Sequence, residues 1–133
     1  MDVRKELQAL GFIQVGAIRP IDAGTRKSCK AHVPLEGPEY VVYAFVVGDE
    51  IKKFGKTRPG IKNRILSTAS ALKGIMADPT RPRNDPFKRL APKVMEANQE
   101  IEVWARNSSA RTYAYEEQEL NLKYKPEWVG RPD

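Results

Sequence analysis

YVVYAFVVGDEIKKFGKTRPGIKNR, residues 40 to 64, is the stretch that decides the fold. Val41, Val42, Tyr43, Phe45, Val46 and Val47 form a nearly unbroken β-branched and aromatic run. That is the composition of a strand buried on both faces. Gly48-Asp49 is a two-residue turn with glycine first, as a tight hairpin prefers. Glu50 to Phe54 reads as a short return strand that Gly55 ends, and Pro59 suits the first position of a helix, where its missing N–H costs nothing. One hairpin therefore delivers a tyrosine (Tyr43) and a lysine (Lys53) close to a helix that carries an arginine (Arg64). Those three groups suit a phosphate.

Downstream, the spacing predicts a helix from about 60 to 76, with Ile61, Ile65, Ala69, Leu72 and Met76 on one face and Arg64 at its margin. An arginine there can bury its stem and keep its fork in a cleft; it also fits an ordinary boundary position. Residues 77 to 85 form a Pro-rich basic loop with Arg81 and Arg83. Asp85-Pro86 then opens a second helix as N-cap and first residue, carrying Lys88, Arg89 and Lys93 up to about Asn98, with Pro92 a kink or a later start. Residues 100 to 105, EIEVWA, alternate as a third strand, partly exposed, with Trp104 outward or over an edge. Ser108-Ser109 suits the cap of a last helix, which runs from about Arg111 to Lys125 and stops at Pro126.

On that last helix Tyr113, Glu117, Leu120 and Tyr124 fall together, while Glu116 and Glu119 point outward. Glu117 is thus the carboxylate on the apolar face. It needs a cation or strong donors to offset its desolvation. A salt bridge would serve, as would a Mg²⁺ held by one carboxylate, phosphate oxygens and waters.

The chain N-terminal to the hairpin is plainer. Residues 2 to 10 read as a short amphipathic helix with Val3, Leu7 and Leu10 on one face, and Phe12 to Ile18 as a strand. Residues 19 to 38 read as an extended loop holding Arg19, Arg26, Lys27 and Lys30. Cys29 and His32 fall there as unligated loop residues. A single cysteine and a single histidine in 133 residues argue against a disulfide framework and an all-protein zinc site, and point to a reducing cytoplasmic setting. No apolar run has transmembrane length, and the first twelve residues lack the apolar core of a secretory signal. Residues 51 to 93 hold twelve Lys/Arg against two acidic residues; the remainder holds eleven against fifteen. A basic segment within an otherwise acidic chain favours a polyanion on one face.

These motifs resemble the GIY-YIG nuclease superfamily over roughly residues 38 to 130. Val41-Val42-Tyr43 matches the first half-motif in its tyrosine, Lys53-Phe54-Gly55 the second with lysine for tyrosine, and Lys56-Thr57 and Arg64 follow at the family's spacing. Glu117, then Leu120, Tyr124, Lys125-Pro126 and Trp128, resembles the family's metal-binding glutamate and its C-terminal signature, with Gly130-Arg131 a common continuation. Val129 stands where an asparagine is usual. Thr68 stands where some relatives have a histidine or tyrosine.

The resemblance implies an α/β fold with a small three-stranded, mostly antiparallel central sheet flanked by helices. It divides the chain into an N-terminal helix and arm (1–37) and a nuclease core (38–133). It implies a metal-dependent DNA endonuclease of compact phage or bacterial type. In it the catalytic residues are Tyr43, as general base or positioning water, Lys53, keeping a phosphate or water contact in place of tyrosine, Arg64, which binds phosphate, and Glu117, which ligates Mg²⁺ or Mn²⁺. Lys56, Arg81, Arg83, Lys88 and Arg89 are the candidate DNA contacts. A duplex break would take a homodimer or two visits. The alternative is a binding module of the same fold without catalysis; an RNA-associated basic protein is a third reading, against which the acidic last third argues.

Overall fold

The computed structural model describes residues 2–33 and 36–129. Its elements run α1 (Val3–Ala9), β1 (Ile13–Ala23), β2 (Arg26–His32), β3 (Val41–Val47), β4 (Glu50–Thr57), α2 (Ile61–Ala77), α3 (Pro86–Glu96), β5 (Ile101–Asn107) and α4 (Tyr113–Tyr124). The strands form one five-stranded antiparallel sheet in the order β2-β1-β5-β3-β4. All seven residues of β3 are buried. Their period of two sends Val41, Tyr43, Phe45 and Val47 into one apolar layer and Val42, Ala44 and Val46 into the other. The first layer is closed by α2 (Ile61, Ile65, Ala69, Leu72) and α3 (Ala91, Met95), the second by α1 (Leu7) and α4 (Leu120).

The expected three-stranded sheet is thus too small. Residues 19–32, read as loop, continue β1 and turn back at Gly24-Thr25 into β2, pairing from Ala17↔His32 to Ala23↔Arg26. Pro20 argued against a strand there because it cannot donate to a ladder. It is tolerated because β1 pairs with β5 only up to Ile18, so one side of the strand is unpaired at Pro20. Gly24 takes the positive φ (+67°) that the turn needs. Cys29 lies in β2 rather than a loop, fully buried, with its thiol 3.6 Å from the Ala69 carbonyl of α2.

Other boundaries shift for local reasons. Gly55 does not end β4, which runs on to Thr57. Gly60, at φ +113°, is the N-cap of α2, so Pro59 precedes the helix instead of opening it. Asp85 caps α3, accepting from the Lys88 amide at 2.9 Å, with Pro86 at the first position, and the helix continues through Pro92. Trp104 is 4% exposed, packed in the layer beneath α1 and α4 instead of facing outward, because both faces of the sheet are covered. The cap of α4 is Thr112, without a side-chain bond to the helix backbone; Ser109 contributes its carbonyl, which accepts from Tyr113 N at 3.0 Å. The Gly130-Arg131 continuation lies outside the described residues.

β4 is an edge strand, and an open edge is a liability. Here it is covered from the C-terminal side. Trp128 N donates to Lys52 O at 2.8 Å, and the Asn121 amide bonds both polar groups of Phe54. That places α4, which packs on one face of the sheet, at the edge where α2 approaches from the other.

Candidate active site

The two layers meet at the edge of β4 around a cleft of about 490 Å³. It is lined by Tyr43, Lys53 and Lys56 from the hairpin, Arg64 from α2, Asp85 and Phe87 from the start of α3, and Glu117 and Asn121 from α4, with Trp128 and Val129 beyond. The five residues Tyr43, Lys53, Lys56, Arg64 and Glu117, chosen from sequence across 75 positions, therefore share one wall system. No helix among the described residues is long and apolar enough to cross a membrane.

Tyr43 pairs with Gly55 across the ladder. A side chain at Gly55 would overlap the end of the Tyr43 ring, so the ring lies across the glycine. Tyr43 is 4% exposed, its ring tilted against Phe45 with centroids 5.1 Å apart. Burial pushes its phenol above the usual 10, against the opposing pull of Arg64, and Glu117 adds to the rise. Lys53 shares the face of Phe45, its register partner. Burial lowers its ammonium below the usual 10.5; Asp85 opposes this and Arg64 reinforces it. Its Nζ lies 5.9 Å from the centre of the Phe87 ring.

Arg64 stands in the first turns of α2, exposed, with Ile61 and Ile65 anchoring the helix beside it. Glu117 is half-buried. Its Oε1 accepts from Asn121 Nδ2 at 3.0 Å, and its Oε2 faces Lys56 Nζ at 3.9 Å. Its neighbour Glu116 is used differently: Arg106, Ser108 and Thr112 all bond its carboxylate, which holds it below the usual carboxylate range despite the cost of burial. Of the two adjacent glutamates, one is saturated and one keeps an oxygen for the cleft.

No cluster of three or more His, Cys, Asp or Glu side chains that could hold a metal occurs among the described residues. Glu117, with Oε2 turned toward the cleft that Asp85 also lines, does fit Mg²⁺ or Mn²⁺, which keep several waters and take few protein ligands.

Of the five basic residues assigned to DNA, Lys56 lines the cleft and the other four do not. Lys88 and Arg89 lie on the first turn of α3 just after Phe87, with Lys88 3.9 Å from Asp85 at the cleft. Arg81 and Arg83 are engaged elsewhere. The Arg81 fork lies over Gly74, and Arg83 Nη2 donates to the Ile75 carbonyl at 3.3 Å, satisfying the end of α2. Sequence reasoning missed Asp85, Phe87 and Asn121 as cleft residues. Asp85 announced itself only as a cap. Asn121 had a usable signal, since it lies one turn after Glu117 on the same helix face.

No protein-family model matches the sequence, and no curated protein does. Among the solved structures that resemble it in fold are two endonucleases. One is a mutant of bacteriophage T4 EndoII, with a TM-score of 0.73 and 19% identity, covering 98% of this chain and 100% of that one. The other is the restriction endonuclease HPY188I in complex with product DNA, with a TM-score of 0.54 and 14% identity, covering 100% and 87%. At these identities the likeness is one of fold.

Proposed function

We propose that the chain is a metal-dependent DNA endonuclease of the GIY-YIG type, hydrolysing a phosphodiester in the cleft at the β4 edge. One observation carries the reading: cations from the hairpin and α2 share a cleft with the Glu117 carboxylate, whose Oε2 is held only loosely by Lys56. The shared fold with a restriction endonuclease solved on product DNA supports DNA as the substrate.

Arg64 holds the scissile phosphate with its fork of donors, and Lys53 and Lys56 add positive charge around it. Tyr43 positions the attacking water. Its phenol is pushed up by burial, so at neutral pH it is a neutral hydroxyl that can both accept from and donate to that water. Glu117 holds a divalent cation, which, when bound, neutralises the charge on the leaving oxygen. Lys88 and Arg89 extend the contact to flanking phosphates. A double-strand break requires two such sites or two visits.

The second reading, a DNA-binding module without catalysis, is favoured by Thr68. Its hydroxyl donates to the Arg64 carbonyl at 2.8 Å and is spent within the helix, where some GIY-YIG proteins carry a residue with proton chemistry. Incubating supercoiled plasmid with the protein and Mg²⁺ or Mn²⁺ separates the two. Nicking that stops with a chelator and with Glu117→Ala is expected. Binding without cleavage across varied plasmids and both metals would leave the second reading standing.

A further inference from the structure

We propose that Asn121 is a positioning residue that fixes the direction of the Glu117 carboxylate by clamping it to the free edge of β4. The inference rests on the reading of Glu117 as a cation ligand. The observation is an amide with every polar group committed. Phe54 N donates to Asn121 Oδ1 at 3.2 Å, and Asn121 Nδ2 donates to Phe54 O at 3.0 Å and to Glu117 Oε1 at 3.0 Å. The first two bonds reproduce the pairing that a neighbouring strand would make with an edge residue. They also fix which end of the amide is which. A flipped amide would set Oδ1 against the Phe54 carbonyl and the Glu117 carboxylate, and Nδ2 against the Phe54 N–H.

The third bond is therefore aimed by the sheet and not by the helix alone. Oε1 of Glu117 is held, and Oε2 is left toward the cleft. Lys56, the cation paired with Glu117, is 3.9 Å away and exposed, too loose to set the carboxylate by itself. Without the clamp, Glu117 is free to swing onto Lys56 and close an ion pair that competes with a cation. Outer partners of this kind typically change metal affinity by about 10- to 100-fold.

The test uses the full chain and Mn²⁺ alone as probe, with two readouts: paramagnetic broadening of the backbone amide signals around residue 117, and the Mn²⁺ concentration that half-saturates plasmid nicking. Asn121→Leu is expected to raise both Mn²⁺ requirements by about 10- to 100-fold. Nicking at saturating Mn²⁺ should stay within severalfold of the parent, whereas Glu117→Ala loses nicking at every concentration. A parent that nicks, a Glu117→Ala that does not, and an Asn121→Leu with the parent's Mn²⁺ dependence would overturn the positioning role and leave the hydrolase reading intact. A parent that neither nicks nor shows broadening near 117 would overturn both. If Asn121→Leu does not fold, the parent itself decides. The two Nδ2 protons of Asn121 should exchange slowly and resonate apart from free amides, with one of them moving in Glu117→Gln. Fast-exchanging signals at free-amide positions would overturn the clamp.

Discussion

The hairpins β1–β2 and β3–β4 are both closed by two-residue turns with a left-handed glycine, Gly24 and Gly48, and each places one strand at an edge of the sheet. Their edges are managed in opposite ways. Among the described residues β2 has no strand beyond it and carries Arg26, Lys27 and Lys30, charges that discourage pairing with another chain. β4 is covered by α4 and the segment after it, through Asn121 and Trp128. A charged edge stays solvated and inert. A covered edge brings side chains from both faces of a sheet to one rim, and the cleft lies there. The comparison teaches that the topology, as much as the motif, makes the site: Arg64 and Glu117 belong to helices on opposite faces and meet only because β4 is the last strand.

The sharpest way to break this contrast is to empty the covered edge. Phe54, fully buried against Phe12 and Tyr124, supports α4 from beneath. Phe54→Ala should cost about 3–5 kcal/mol in urea unfolding. Ile21→Ala, on the exposed side of the other hairpin, should cost no more than about 0.5 kcal/mol. Equal losses would mean that the two hairpins do not differ in packing as described.

Arg64→Ala tests function without packing. Removing the fork should slow nicking by about 10²–10³-fold. The melting temperature should barely move, since the side chain is exposed, and Arg26→Ala should leave both unchanged. Nicking at the parent rate would remove Arg64 from phosphate binding.

The glycines sharpen the comparison further. Gly55→Ala forces the new methyl into the Tyr43 ring, at an expected cost of about 1–3 kcal/mol together with lost nicking. Gly24→Ala meets nothing within 4 Å and should cost only its left-handed strain, about 1–2 kcal/mol, with nicking retained. Stability curves beside nicking rates distinguish a strained turn from a displaced phenol.

The smallest effect is one of pH. The Lys53 ammonium is held below 10.5 by burial, so the unfolded chain binds its proton more tightly than the folded one. Stability then rises with pH from the folded value up to 10.5, and the full penalty applies below that window. Lys53→Met should raise the melting temperature at pH 7, and the gain should vanish above pH 10.5. An equal gain at both pH values would trace it to packing instead of charge.

Residues 40–64 could be read because a buried strand, a Gly-first turn and a helix stripe each leave a separate mark, and β3, its turn and α2 lie where those marks fall. Glu117 stood out because it broke an apolar stripe. The segment 19–32 could not be read. Arg26 to His32 is a polar, edge-type strand whose one fully buried residue is Cys29, and Pro20 is excused only by where β5 ends, a fact of tertiary register. Trp104 was misplaced for the related reason that alternation cannot say whether the second face of a sheet is solvent or another layer. For Asn121 the spacing from Glu117 was a legible signal, but its other partner, the Phe54 backbone, carries no side-chain signature.

The distance along the chain between Arg64 and Glu117 has a consequence for synthesis. A ribosome adding about 5–20 residues per second releases the cationic side of the cleft several seconds before α4 is available to dock. During that interval the nascent chain has Lys53, Lys56 and Arg64, and later Asp85, but not yet Glu117. The cleft is completed by α4, so a growing chain presents a cationic surface that can attract a polyanion before the Glu117 side of the cleft exists.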